Sequence, residues 1–157
     1  MNAVDIIKYG HSFLNQSMDG LQDSDWEISG ACGVWSPKDI MAHLASYEHL
    51  LCEVLTSFLG GGATPYMEQM AQGHGFNDAQ VALRKGNSVK EVLNEYNATF
   101  AEVTALIPRI PIETCREVGT LPWYGMEYAL DDYIVYAFYG HKREHGGQIA
   151  LFRDRPR

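Results

Sequence analysis

Two histidines four residues apart, His141 and His145, carry the most evident chemistry in this chain. They lie in the stretch Leu130 to Phe152, LDDYIVYAFYGHKREHGGQIALF. At 100° per residue, Ile134, Phe138, Ile149 and Phe152 fall on one apolar stripe with both histidines at its middle. An i, i+4 pair stacks on one helix face, about 6 Å apart along the axis. Two imidazoles facing a core are costly to desolvate unless something satisfies them. Hydrogen bonds to buried carbonyls would do so; a divalent metal does it more economically, because neutral imidazole is the commonest protein metal ligand. Gly140, Gly146 and Gly147 bracket the pair. Each costs about 1 kcal/mol relative to Ala inside a helix, which points to close backbone approach or room for a ligand.

A third imidazole comes from His43, at the edge of another apolar stripe and close to Tyr47. Together His43, His141 and His145 supply three nitrogens and leave a coordination position open for water or substrate, the pattern of catalytic rather than structural zinc. Such a site activates water or holds a thiolate. A three-imidazole face suits zinc or nickel and also accommodates iron or manganese. Gln148 projects near the two histidines, while Tyr47 and Tyr96 sit on core faces as candidate proton donors beside the metal; ordinary packing explains these three as well. Glu48 and Glu144 fall off the stripe centres and are expected in solvent, although either would serve as general base if it reached the site. His11 reads as a histidine at the core edge, His49 as solvated on the far side of its helix, and His74, between glycines, as a loop or pocket rim.

The elements that must position these groups are helices. Residues 4 to 22 form a first amphipathic helix through Ile7, Leu14, Met18 and Leu21. The turn-rich segment 23 to 34 follows, with Trp26 and Trp35 expected to pack it against the bundle end. Ser36 is an N-cap followed by Pro37 and Asp39, and the helix it starts runs to about Leu59, burying Ile40, Leu44, Leu51 and Leu55. Gly60-Gly61-Gly62 ends it without the Gly-Lys-Ser/Thr of a phosphate loop. Residues 64 to 86 read as one or two short helical pieces in a long crossover. The Ser88 to Glu91 capping box opens a third long helix through Val89, Leu93, Tyr96, Phe100, Val103 and Ile107, stopped by Pro108 and Pro111. Residues 112 to 129 form an irregular connection with Trp123 and Tyr124 over one end of the bundle, and the histidine helix closes the chain. Four long amphipathic helices with almost no strand-like alternation make an all-α four-helix bundle, a single domain over residues 1–157.

Composition narrows the partners. With 46% hydrophobic and 20% charged residues and a net charge of −8, the chain reads as an ordinary soluble globule. It has no basic stripe to neutralise nucleic-acid phosphates or bind an anionic membrane. Cys32, Cys52 and Cys115 show neither C-x-x-C spacing nor a disulfide framework, and Cys52 reads as a small buried hydrophobe. The opening MNAVDIIKYGHSF lacks a basic region followed by an apolar run, so the expected location is cytoplasmic.

The run WSPKDIMAHL at Trp35 to Leu44, with HKREHGGQI at His141 to Ile149, resembles the DinB/YfiT-like superfamily. The resemblance spans nearly the whole chain. It implies an up-up-down-down bundle, a divalent metal on His43, His141 and His145, and a homodimer. It also implies a metal-dependent enzyme that transfers a low-molecular-weight thiol to a small electrophile or hydrolyses it. The alternative is a noncatalytic bundle that binds metal or ligand.

Overall fold

A computed structural model describes residues 2–156, and among them the regular structure is entirely helical apart from one isolated bridge between Cys32 and Trp35. Helix α1 spans Ala3–Met18 and starts at Asn2, whose side chain accepts from the Asp5 amide. Helix α2, Pro37–Ser57, opens at the expected Ser36 N-cap, and Asp39 completes a capping box: Ser36 Oγ accepts from the Asp39 amide while Asp39 Oδ2 accepts from the Ser36 amide. The crossover contains two short helices, α3 (Pro65–Ala71) and α4 (Phe76–Leu83). Helix α5 spans Val89–Leu106 behind the second capping box, Ser88 with Glu91. The connection expected to be irregular holds one short helix, α6 (Ile112–Arg116). The chain then enters α7 (Leu130–Ile134), widens into a π-helical segment over Val135–Gly140, and continues without a break as α8 (His141–Arg153).

The direction of the four long segments follows from their contacts. Gly10 lies against Lys142, Gly146 against Phe13 and Ser17, and Arg153 bonds the carbonyls of Ser17 and Asp19, so α1 and α8 run parallel. His49 meets Glu95 and Cys52 meets the Thr99 carbonyl and Glu102, so α2 and α5 are also parallel. His43 faces His141 and His145 while Tyr47 faces Phe138, which sets the two pairs antiparallel. The order is up, down, down, up, and this corrects the expected up-up-down-down. The reason is connection length: consecutive long helices run parallel only across a long return, and the longest return, carrying α3 and α4, separates α2 from α5.

Apolar packing falls into two clusters. One gathers Ile7, Leu51, Leu55, Val103, Ile134 and Phe138; the other gathers Leu14, Ile40, Leu44, Val92, Tyr96 and Ile149. On each long helix a polar residue stands between the two: His11 on α1, Glu48 on α2, Thr99 on α5 and Lys142 on α8. Glu48 is fully buried and pairs with Lys142 Nζ at 2.5 Å, itself beneath the faces of Tyr96 and Phe100. The expectation that Glu48 is solvated is therefore wrong. Helix α2 buries almost its whole circumference, because α3 and α4 cover the side that a one-stripe reading leaves to water. His49 is corrected on the same grounds. It stacks on Tyr66 of α3 at 4.8 Å and contacts Glu95 Oε1 at 3.0 Å.

Glu95 also takes a two-pronged contact from Arg84 of α4, at 2.9 and 2.6 Å, and Arg84 reaches Tyr66. This network fastens the crossover helices to the bundle. The His49 hydrogen bond first, and then Arg84, hold the Glu95 carboxyl at about 2 against the opposing effect of burial. A carboxylate depressed in the fold contributes stability that is full above its unfolded pKa and lost as pH falls through the folded one. The stability difference between the protein and Glu95→Gln is thus expected to be largest near pH 7 and to shrink from about pH 4.5 towards 2. Urea unfolding of both proteins across that range checks it.

The glycines around the histidine pair divide by role. A Cβ at Gly146 would lie 2.8 Å from Phe13 and from Ser17 Oγ, so this glycine lets α1 approach α8. At Gly147 a Cβ would meet nothing within 4 Å. Gly146→Ala is expected to destabilise by about 1–3 kcal/mol through overpacking, even after the roughly 1 kcal/mol gain in helix propensity. Gly147→Ala should stabilise by about 0.5–1 kcal/mol. Denaturant midpoints of the two variants decide the matter.

Candidate metal centre

α2 delivers His43 and α8 delivers His141 and His145 to one point. His43 Nε2 lies 2.8 Å from His141 Nε2, and His145 Nε2 lies 3.0 Å from the same atom. Ligand atoms of the three rings all fall within 4.8 Å of one another. His43 and His145 are buried and His141 is half-buried. Burial is the main cause that lowers the pKa of each. It takes His43 to about 2, with the two neighbouring rings adding to the effect, and His141 to about 3, where His145 and Lys142 add to it. His145 is lowered by burial too, against the Gln148 hydrogen bond and the charge of Glu144. All three are neutral imidazoles at pH 7.

The outward nitrogens decide where the protons sit. Gln148 Oε1 lies 2.8 Å from His145 Nδ1 and, being an acceptor, keeps the proton there. His141 is hydrogen-bonded to the backbone of Ala137, whose only free group for a ring N–H is its carbonyl. The His141 amide bonds to Phe138 O, one residue closer than a regular turn would choose, and passes over the Ala137 oxygen. Nδ1 protons on His141 and His145 leave their Nε2 lone pairs directed at the shared point. His43 Nδ1 is buried with no partner among the described residues. Converging lone pairs 3 Å apart repel one another unless a cation lies among them, and the outward hydrogen bonds are those that orient metal-binding histidines. The donor set therefore fits a divalent metal.

Two aromatic rings wall the cluster. Trp35 lies 5.0 Å from His43 and 6.5 Å from His145, while Tyr47 lies 4.8 Å from His43 and 4.5 Å from His141. Trp35 also packs on the second apolar cluster, as expected for a residue that closes the bundle end. Its place beside the histidines escaped the sequence reading, where the only signal was its position one residue before the N-cap of the His43 helix. Tyr47 is brought to the site as a ring; its hydroxyl donates to Asn77 Oδ1 at 3.3 Å. Gln148 is brought in through His145. Tyr96 sits elsewhere, fully buried, with its hydroxyl 3.2 Å from His11 Nδ1. His11 stacks on Phe100 at 3.7 Å, and burial followed by the charge of Lys142 lowers it to about 4. Glu144 and His74 are exposed, as expected. Cys52 is half-buried, and burial with nearby acidic groups pushes its thiol up to about 12, which suits the packing role expected of it.

The family profile of the DinB superfamily matches residues 11–149, a span that contains all three histidines. No curated protein and no solved structure matches the chain. No helix among the described residues is long and apolar enough to cross a membrane.

Proposed function

Since the chain belongs to the DinB superfamily, we propose that His43, His141 and His145 hold one divalent transition metal through Nε2 and that the protein is a metal-dependent enzyme acting on a small electrophile. Zinc and nickel lead iron and manganese, because three neutral imidazoles are borderline donors. When bound with a position left open, such an ion acts as a Lewis acid that lowers the pKa of water or of a low-molecular-weight thiol. The observation that carries the reading is the convergence of three Nε2 atoms at 2.8 and 3.0 Å with Nδ1 held on Gln148 and at Ala137.

The chain's own residues have separable tasks. Gln148 fixes the tautomer and tilt of His145, and the Ala137 carbonyl does the same for His141. Trp35 and Tyr47 keep the rings from turning and exclude water from two sides.

The test is turnover. Protein reconstituted with zinc or nickel is incubated with a small thiol and an activated aryl halide, and thioether formation and hydrolysis are followed before and after chelation. A rate that needs the metal and is lost in His43→Ala supports the enzyme reading. Metal binding without turnover under either condition would leave the noncatalytic alternative, in which the ion only ties α2 to α8.

A further inference from the structure

Helix α2 and the last helical run stay in contact beyond the histidines, where Tyr47 meets Phe138. One turn past His43 and one turn before His141, Tyr47 and Ala137 border a cavity of about 420 Å³. Leu50 of α2, Met67 and Met70 of α3, Trp123 and Tyr124 of the connection, and Tyr133 of α7 close it. Its volume lies within the roughly 300–1,000 Å³ of small-molecule sites. Tyr47 stands in both places, lining the cavity while its ring lies 4.5 Å from His141. Tyr47 is thus the side chain shared by the cavity wall and by His43 and His141.

The lining states the chemistry of the occupant. No residue that is charged at neutral pH borders the cavity. Burial pushes the Tyr133 hydroxyl well above the usual phenol range and raises that of Tyr124 as well, so both offer O–H groups rather than charge. Their rings meet edge to face at 4.8 Å, and Trp123 meets Tyr133 the same way at 5.3 Å, which leaves ring faces and edges for another ring. Two methionines supply an adaptable wall. Trp123 is 53% exposed at the mouth, an indole that a seated ligand would cover. The roof is fixed in place: Glu53 accepts from the amides of Tyr66 and Met67 at the start of α3, and Arg84 holds Tyr66.

Resting on the metal-site reading above, we propose that this cavity receives the uncharged aromatic body of the substrate and presents its reactive group to the histidine cluster past Tyr47. The family profile says nothing of this specificity; the cavity's lining does. The consequence is selection against charge on the body of the molecule, whichever of water or thiol completes the reaction.

The probes are 2-naphthol and 2-naphthoate, alike in ring size and different in charge, titrated by calorimetry into the full chain. Affinities are compared in chelated protein, since a carboxylate also ligates a metal, and zinc content is measured in parallel on reconstituted protein. The expected result is 2-naphthol bound at least tenfold more tightly than 2-naphthoate. Met70→Glu, at the half-buried rim where folding is not threatened, should weaken 2-naphthol tenfold or more, and Ala137→Leu should do the same by filling the cavity. Equal affinity for the two probes, or 2-naphthol binding untouched by Met70→Glu, overturns the inference. Selective naphthol binding without zinc uptake would keep the cavity's role and remove the metal site. Zinc uptake without naphthol selectivity would do the reverse.

Discussion

Lys142→Met is expected to lower stability by about 3–5 kcal/mol, because it strands a buried carboxylate. Glu48 has no exposed surface, its Oε2 meets no donor among the described residues, and Lys142 Nζ is the cation that answers its charge. The converse change, Glu48→Leu, should cost less. The stranded ammonium would still lie 5.5 and 5.0 Å from the centres of Tyr96 and Phe100, and desolvated cation–π contacts recover on the order of 2 kcal/mol. Combining the two should bring stability back to within about 1 kcal/mol of the starting protein or above it, since replacing both partners of a buried pair removes two desolvation costs at once. Urea unfolding of the three variants checks the order. Single changes that cost under 1 kcal/mol would mean that water reaches this layer.

Removing the metal should matter as much for the fold. The ion would be held by histidines from α2 and α8, and a ligand that binds only the folded chain stabilises it by about 4 kcal/mol at a thousandfold excess over Kd. For a chain of this length that corresponds to roughly 8–16 °C in Tm. Thermal unfolding before and after chelation is expected to differ by about this amount in the starting protein, and by nothing in His43→Ala. A Tm indifferent to chelation, with metal present, would place the ion on the surface rather than between the helices.

Much of this arrangement was legible in the residues. The N-cap at Ser36 and the capping box at Ser88 set two helix starts, and the stripe from Ile134 to Phe152 put His141 and His145 on a common inward face because heptad-like spacing survives even where the helix widens. The glycines around the pair pointed to close approach or to room for a ligand, and Gly146 proved to be where Phe13 and Ser17 of α1 press on α8. The burial of Glu48 and His49 escaped because a helix read alone shows one buried face, while α2 has its second face covered by the crossover. That covering buried Glu48 and drew His49 into the Arg84–Glu95 network. Chain direction was recoverable from connection lengths and was obscured by the family resemblance. The π-helical segment left no readable mark, because inserting one residue into a turn changes hydrogen bonding without breaking an apolar pattern that Phe138 and Ile149 both satisfy. The cavity at Tyr47 was also hidden, since Met67, Met70, Trp123 and Tyr133 come from three separate elements.

The central claim is that three histidines from two helices hold one ion. Elemental mass spectrometry on untagged protein purified without chelator tests it most directly, with His43→Ala, His141→Ala and His145→Ala beside the exposed His74→Ala. About one equivalent of divalent metal in the starting protein and in His74→Ala, lost in each of the other three, is the expected result. No metal after reconstitution with zinc or nickel, or metal retained in all three cluster variants, would contradict it.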